Sequence, residues 1–255
     1  MGKAPTFVTF TGVDERTDID GMKKLSALYP IEWGILFSQT RQGKHNRYPP
    51  LWKVMDVVFE RPFLRLAAHW CGQHARDALT ENTRFNSEDI VCFDRVQINH
   101  PHPNIEMAAT FQRRMGTQCI IQVRGEEFPD APVSCLFDRS GGRGEVPSSW
   151  PRHPGWMAGY AGGITPENVS DVVKAIDADG PYWIDMESGV RTDDWLDLEK
   201  CRAVCEAVYG RPAEALAAAD ELVSLMEQGL KGGYVHPDDC RKRMHAYQAA
   251  REKCR

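Results

Sequence analysis

The stretch Ala161-Gly-Gly-Ile-Thr-Pro-Glu-Asn-Val169 carries the strongest structural signal in this chain of 255 residues. The apolar run before it, Met157–Tyr160, is typical of a short buried strand, and Gly162 and Gly163 end that strand. A threonine N-cap with proline at the first helical position then predicts a helix over Thr165–Ile176. A helix N-terminus next to flexible glycines suits an anion, because it presents backbone N–H groups and a positive dipole end. The segment therefore predicts a strand, an anion-binding loop and a helix in succession.

Seven more short runs of β-branched and aromatic residues flank this strand. Together, the eight predicted strands are Phe7–Thr11, Glu32–Phe37, Arg65–His69, Arg95–Ile98, Gln118–Val123, Val133–Phe137, Met157–Tyr160 and Tyr182–Met186. Helical patterns with apolar residues three or four apart lie at Asp18–Leu28, Pro50–Glu60, Asn104–Met115 and Thr165–Ile176. Eight strands alternating with helices is the number that closes a (β/α)8 TIM barrel, typically about 250 residues long.

Two features qualify the barrel prediction. Only Arg124–Pro132 separates the fifth strand from the sixth, and its two prolines leave no room for a full helix, so one unit is expected to be irregular. A doubly wound open sheet is the alternative fold. Its glycine fingerprint after the first strand is absent, since only Thr11-Gly12 stands there.

A change in composition after Gly210 predicts a C-terminal helical extension, with helices over Pro212–Leu230 and Pro237–Lys253. We therefore divide the chain into a barrel, 1–209, and the extension, 210–255. The apolar row of the first helix predicts that it packs on its own barrel or forms a homodimer. That row is Leu216, Ala219, Leu222, Val223, Met226 and Leu230.

Composition excludes several classes of protein. With 42% hydrophobic and 26% charged residues, the chain has the make-up of a globular domain. A net charge of −5 gives no overall field for nucleic acid. No apolar run reaches the ~18–20 residues of a membrane helix, and the N-terminus has no signal-peptide core, so we expect a cytoplasmic protein without a membrane partner. The eight cysteines form no CxxC pair, which favours reduced thiols over a metal site.

Candidate chemistry lies where the last three strands end. The sixth strand runs into Asp138 and a glycine-rich loop that contains Gly142 and Gly144, and the eighth runs into Ser188-Gly189. Carboxylates at the carboxyl ends of barrel strands face the active-site mouth, and the loops after strands seven and eight often bind phosphate. The sequence therefore predicts a phosphate site built by Gly162, Gly163, Ser188 and Gly189.

These segments resemble the phosphoribosylanthranilate isomerase family of tryptophan biosynthesis. Leu136–Gly144 matches the family's sixth-strand motif, an apolar run with Asp and then Gly-Gly-x-Gly. Ala161–Val169 matches the seventh-strand motif Ala-Gly-Gly-[Leu/Ile]-Thr-Pro-Glu-Asn-Val without a mismatch, and Ile184–Val190 matches the eighth. The loop Gln42–Pro49 resembles the loop after the second strand. The resemblance covers about residues 7–209 and is weak between 50 and 130.

The resemblance implies an Amadori rearrangement of an aminated ribose 5-phosphate, with no metal or cofactor. An acid opens the furanose ring to an imine, and a base then removes the C2 proton. By the same resemblance Asp138 is the general acid, Arg47 contacts the carboxylate of the substrate, and Asp185 orients loops. Gly142 and Gly144 are expected to lie against the substrate, and the small-molecule partner is a phosphosugar.

The general base is where the sequence departs from the family. The family's first strand ends Lys-x-Cys-Gly, with Cys as base, whereas Thr9 and Thr11 stand at the Lys and Cys positions here. A threonine hydroxyl titrates far above neutrality and needs a partner to act as a base. Asp14 and Cys71 are the candidate replacements. Polar or aromatic residues near the ends of strands three and four are also predicted to line the pocket: His69, Trp70 and His100.

Three functions follow as hypotheses. The first is an isomerase of the phosphoribosylanthranilate type. The second, made plausible by Thr11, is a divergent barrel that keeps the phosphate site but has another substrate or reaction. The third is a non-catalytic ligand-binding or scaffold protein that recruits a partner through its C-terminal helices. Asp138 and the intact Ala161–Val169 segment favour an enzyme.

Overall fold

A computed structural model describes residues 3–80 and 91–211. Eight parallel strands pair in chain order, and β8 pairs with β1, so the sheet closes into a barrel. The strands are β1 (Phe7–Thr11), β2 (Ile31–Phe37), β3 (Arg65–Cys71), β4 (Arg95–Asn99), β5 (Gln118–Val123), β6 (Ser134–Asp138), β7 (Ala158–Ala161) and β8 (Tyr182–Met186). The predicted TIM barrel is confirmed, and the open sheet is excluded.

Helices cover the outside of the barrel; four of them lie where the apolar periodicity predicts a helix, whereas the third and the sixth are not predicted by it. They are α1 (Ile19–Leu28), α2 (Leu51–Phe59), α3 (Gln73–Ala78), α4 (Ile105–Met115), α5 (Val169–Ile176) and α6 (Leu198–Tyr209). Asp18 and Asn104 cap α1 and α4 by accepting hydrogen bonds from first-turn N–H groups. After β8 come a 3-10 turn (Ser188–Val190) and a two-stranded ribbon of β9 (Arg191–Thr192) and β10 (Trp195–Leu196).

Two of the connections between consecutive strands lack a helix. The predicted irregular connection from β5 to β6 is confirmed, and the connection from β6 to β7 is also without a helix. The predicted start of α5 at Thr165 is wrong, because α5 begins at Val169. The Asn168 side chain accepts from the Thr165 N–H at 2.8 Å and donates to the Gly163 carbonyl at 2.8 Å, so residues 163–168 form a separate turn.

The interior of the barrel is closed below its mouth by a buried ion pair and a tryptophan. Glu32, on β2, is fully buried and accepts from the Arg95 Nε at 2.8 Å and from the Thr9 hydroxyl at 3.0 Å. The Arg95 guanidinium lies 4.3 Å from the ring centre of Trp183. Any Cβ on Gly159 would collide with that ring, so glycine is what lets the indole fill the barrel.

The barrel begins and ends side by side. The Thr6 N–H donates to the Tyr182 carbonyl at 2.7 Å, and the Tyr209 hydroxyl donates to the Pro5 carbonyl at 3.1 Å. Residues before β1 are thereby tied both to β8 and to α6. The barrel is a ring whose first and last elements are already in contact.

The C-terminal extension lies outside the described residues from 212 onward, so its helices and the homodimer stay predictions. Within residues 3–80 and 91–211, no helix combines the length and apolar character that crossing a bilayer requires.

Candidate active site

The barrel opens at the carboxyl ends of its strands into a cavity of about 580 Å³, a size that suits a small-molecule ligand. Its floor carries polar side chains from five strands. They are Thr11, His69, Gln97, Asp138 and Asp185. This is the end of the fold at which TIM-barrel enzymes place their chemistry.

Asp138, the predicted acid, is the last residue of β6 and is 4% exposed within this cavity. Its Oδ1 accepts from the Ser140 hydroxyl at 2.8 Å and from the Gly141 N–H at 3.0 Å, and its Oδ2 accepts from the Gly142 N–H at 2.8 Å. The carboxylate is thus held in one orientation by the loop that follows it.

The glycines of that loop line the cavity as the sequence predicts. Gly142 and Gly144 have φ of +87° and +71°, a left-handed conformation that other residues adopt only with strain. A Cβ on Gly144 would lie 3.6 Å from the Ser188 hydroxyl oxygen. The loops after β6 and β8 therefore lie against each other above the floor.

The four predicted phosphate-site residues converge on one side of the cavity. A Cβ on Gly163 would approach the Val146 nitrogen to 2.5 Å, and a Cβ on Gly189 would collide with the Ile164 carbonyl oxygen. Glycine is required at both positions because the loops after β6, β7 and β8 pack backbone against backbone. Among the described residues, the Gly163 N–H has no hydrogen-bond acceptor, which leaves it for a ligand.

Arg47 lies in the cavity wall but is already paired. Its Nη1 contacts Glu187 Oε1 at 2.7 Å and Ser188 Oγ at 3.2 Å, and its Nε contacts Asp194 Oδ1 at 2.8 Å. Two carboxylates compensate one guanidinium, so Arg47 in this state ties the loop after β2 to the loop after β8.

Thr11 points into the cavity from the end of β1. Its hydroxyl donates to Asp185 Oδ1 at 2.8 Å and lies 3.4 Å from His69 Nδ1. Glycine at position 34 of β2 makes this possible, because a Cβ there would come within 2.7 Å of the threonine oxygen and 2.9 Å of His69 Nε2. Burial lowers the pKa of His69 to about 4, so its imidazole is neutral near pH 7.

Asp14, the other predicted base, does not line the cavity, and the prediction is corrected here. Its carboxylate accepts from the Arg191 guanidinium at 2.8 Å, from the Leu196 N–H at 2.6 Å and from the Thr17 hydroxyl at 2.9 Å. With no exposure and these donors around it, Asp14 fastens the loop after β1 to β9 and β10. The Arg191 Nη1 also donates to the Gly12 carbonyl at 2.7 Å.

The residues predicted from strands three and four divide by strand alternation. His69 and Cys71 line the cavity, whereas Trp70 between them faces outward and packs on Phe111 with ring centres 5.2 Å apart. The prediction for Trp70 is therefore wrong, and His100 is not among the lining residues either. Burial raises the pKa of the Cys71 thiol, which disfavours the thiolate that a base requires.

Sequence reasoning gave Asp185 only an orienting role and missed its surroundings. Burial raises the pKa of this carboxyl to about 8, and the nearby Glu32 and Glu187 add to the rise, while the Thr11 hydrogen bond and Arg95 oppose it. Thr11 and Asp185 are 174 positions apart, so only barrel closure brings them together. Within the described part of the chain, no cluster of His, Cys, Asp or Glu is arranged for a metal ion.

A model of the family described as N-(5'-phosphoribosyl)anthranilate (PRA) isomerase matches residues 108–207, which carry β5 to β8 and their loops. Over this segment the chain resembles this isomerase family. The resemblance inferred from the sequence is confirmed, and the matched segment contains Asp138 and the predicted phosphate loops. No curated protein sequence matches the chain.

Solved structures of phosphoribosylanthranilate isomerases share the fold. The enzyme from Thermococcus kodakaraensis is 15% identical with a TM-score of 0.53, over 80% of this chain and 99% of that one. The Pyrococcus furiosus enzyme is 15% identical with a TM-score of 0.51, over 79% and 98%. A third isomerase structure, in complex with reduced 1-(o-carboxyphenylamino)-1-deoxyribulose 5-phosphate, is 17% identical with a TM-score of 0.51, over 80% and 98%. Identities this low establish the barrel, not the reaction.

Proposed function

We propose that this barrel is an isomerase that binds an aminated ribose 5-phosphate and rearranges it to a 1-amino-1-deoxyketose. The observation that carries the proposal is the convergence of Asp138 and the glycine loops after β7 and β8 on one cavity. Loops whose backbones approach this closely offer N–H groups to a phosphate. A carboxyl group within the same cavity supplies the proton that ring opening needs.

In the proposed reaction the phosphate is held between the Gly162–Gly163 and Ser188–Gly189 loops, and the sugar extends over the floor. Asp138 gives a proton to the ring oxygen as the C1–O bond breaks and the nitrogen lone pair forms the imine. Removal of the C2 proton then gives an enamine, which becomes the ketose. Gly142 and Gly144 hold the β6 loop against the sugar, and the chain's own side chains supply the acid and the base. Tryptophan biosynthesis is the pathway in which the family resemblance places such a reaction.

A second candidate is a barrel with the same phosphate site and another aglycone, the amine-derived group on C1. The observation that favours it is the pairing of Arg47 with Glu187 and Asp194, because a compensated guanidinium is a poor receptor for an arylcarboxylate. Arg124 also lines the cavity and has no acidic partner among the described residues. The scaffold hypothesis depends on the extension and stays a prediction.

Calorimetry with ribose 5-phosphate tests the proposal. We expect binding by the wild type and at least a 100-fold loss in Gly163→Asp, which puts a carboxylate among the phosphate loops. Gly116→Asp is the matched control, since Gly116 also has a positive φ, +65°, but caps α4, and a Cβ there meets nothing within 4 Å. Failure of the wild type to bind any ribose phosphate ester would refute the phosphate site and the isomerase together.

A further inference from the structure

A base for the C2 proton is missing at the position where the family keeps it, and the acidic and thiol groups near the cavity differ in whether they are available for this role. Asp14 is buried under Arg191 and lies outside the cavity. Glu187 is paired with Arg47. Cys71 accepts a hydrogen bond from the Asn99 amide at 3.3 Å, and burial raises its pKa. Asp185 lines the cavity and is not paired with a cation.

Asp185 lies two strands away from the proposed acid and shares a register partner with it. Ala161 of β7 is the register partner both of Asp138 on β6 and of Asp185 on β8. Adjacent strands are roughly 4.8 Å apart, so the two carboxyl-bearing backbones are separated by about 10 Å with only a methyl side chain between them. A sugar carbon skeleton lying across Ala161 has one carboxyl group on each side.

Hydrogen bonding orients the Asp185 carboxylate and leaves one oxygen available. Oδ1 accepts the Thr11 hydroxyl proton at 2.8 Å, whereas Oδ2 receives no hydrogen bond from residues 3–80 or 91–211. Because the single hydroxyl proton of Thr11 is engaged in the hydrogen bond to Asp185, the Thr11 oxygen can only accept from His69 Nδ1, which lies 3.4 Å away. In that tautomer His69 Nε2, which is buried and has no partner in the described chain, carries the acceptor lone pair of the ring.

We propose, resting on the proposed isomerase function, that Asp185 is the base that removes the C2 proton, and that Thr11 is a positioning residue for it. The C2–H bond breaks, and its proton passes to Oδ2 of Asp185. Its electron pair becomes the C1–C2 double bond, and the π pair of the protonated imine returns to nitrogen. Asp185 then gives the proton to C1, while the C2 hydroxyl proton passes to the Asp138 carboxylate and the electron pair of that O–H bond forms the C2 carbonyl of the ketose. No outside reactant is needed.

The surroundings of Asp185 favour such a role near pH 8, where its carboxyl group ionises. Thr11 on β1, Glu32 on β2, Arg95 on β4 and Glu187 after β8 are the polar and charged groups that act on it. Burial and the two glutamates raise its pKa to about 8. A carboxylate with raised proton affinity removes a carbon-bound proton more effectively than an ordinary one, provided that it is ionised at the working pH. We expect proton removal to increase with pH up to about pH 8.

The test uses the full chain and a defined probe, the glycosylamine formed from ribose 5-phosphate and aniline. This probe carries phosphate and an aminated C1 but no carboxylate, so the pairing of Arg47 does not affect it. Formation of the ketose in D2O is followed by the NMR signals of C1 and C2. We expect Asp185→Asn to slow C2 proton loss at least 100-fold while ribose 5-phosphate affinity, measured by calorimetry, stays within threefold.

Substitutions at Thr11 distinguish a positioning role in the reaction from a role in fold stability alone. We expect Thr11→Val to slow proton loss about tenfold and to move the rising limb of the pH profile, and Thr11→Ser to restore both. Thr9→Val is the matched control: it removes a buried hydroxyl from the same strand, bonded to Glu32 below the cavity, and is expected to leave the pH profile in place.

Two results would overturn the proposal while the isomerase function stands. An Asp185→Asn variant that retains the wild-type rate would refute the base assignment, and a Thr11→Val profile that coincides with that of the wild type would refute the positioning role. A wild type that binds ribose 5-phosphate but does not release the C2 proton of the probe would refute the isomerase reaction itself. If the wild type does not bind ribose 5-phosphate at all, both proposals fail.

Discussion

The two sides of the barrel mouth are built from different material. On the β6–β8 side, glycine loops pack backbone against backbone and present N–H groups. On the β1–β4 side, the cavity is lined by side chains such as Thr11, His69 and Gln97. A site made of backbone requires glycine at fixed positions, so it keeps a recognisable sequence, whereas a site made of side chains can be altered one residue at a time. The family model matches residues 108–207, which contain the glycine side.

The largest effect is expected on the turnover of phosphoribosylanthranilate, the substrate of the family that the chain resembles. Because Arg47 is already paired with Glu187 and Asp194, it is a poor receptor for the anthranilate carboxylate, and we expect weak or no turnover of phosphoribosylanthranilate. A tryptophan auxotroph that lacks the isomerase should not grow when it expresses this chain. Robust growth would show that both sides of the mouth still perform the family reaction, and the comparison between them would lose its functional meaning.

The ion pair below the side-chain half should dominate stability. Glu32→Gln leaves the Arg95 guanidinium, 1% exposed, without its full counter-charge, and breaking a buried pair costs about 3–5 kcal/mol. Urea unfolding measures the loss. Glu199→Gln makes the same change in an exposed pair with Arg202 on α6 and should cost less than about 0.5 kcal/mol. Equal losses in the two variants would mean that the buried pair contributes no more than a surface one.

Asp185 makes the stability of the barrel depend on pH. Its pKa is about 8 in the fold against 3.8 for the free residue, so the native state holds the extra proton between those values. Stability is therefore lost as pH rises from about 4 to 8, by about 1.4 kcal/mol for each tenfold change in proton affinity.

Asp185→Asn removes this dependence. In urea titrations at pH 5, 7 and 9, the free energy of unfolding of the variant should therefore rise relative to that of the wild type as pH rises. His69, whose depressed pKa acts in the opposite direction below about pH 6.5, is present in both proteins and cancels in the difference. Parallel curves for the two proteins would contradict the prediction.

Arg47 links the two sides, and its removal should have the smallest effect of the four. Arg47→Ala leaves Glu187 and Asp194 uncompensated next to Ser188, so we expect ribose 5-phosphate to bind about tenfold more weakly. Arg47→Lys, which retains the charge, should recover part of the affinity in the same calorimetric titration. Tighter binding in Arg47→Ala would place the phosphate elsewhere in the cavity.

Local sequence signals predicted the barrel well. The bounds of β1, β5 and β8 agree residue for residue with prediction, because alternation and turn residues define them locally. Asp138 and the four phosphate-site residues all reach the cavity, since they follow strand ends in chain order. The start of α5 was missed because the Asn168 side chain competes with the helix for backbone groups.

Contacts between residues that are far apart in the sequence could not be predicted from local patterns. Asp14 reads as a residue at a strand end, yet the ribbon after β8 supplies the Arg191 that removes it from the cavity. The Thr11–Asp185 hydrogen bond joins the first strand to the last, and no local pattern encodes it. Trp70 was misassigned because which face of a strand points inward is decided by register, and His69 and Cys71 take the inner positions.

The Tyr209 hydroxyl contacts the Pro5 carbonyl, and Arg191 of β9 bridges to the loop after β1. Because the first and last elements of the barrel are in contact, the chain can be opened at another connection without changing how the strands pair. A short linker between those neighbours would join the barrel into a continuous loop. New ends could then be placed in the helix-free connection between β5 and β6, where no element would be cut. Such a circular permutant would begin with the Asp138 segment and would retain all eight strand pairings.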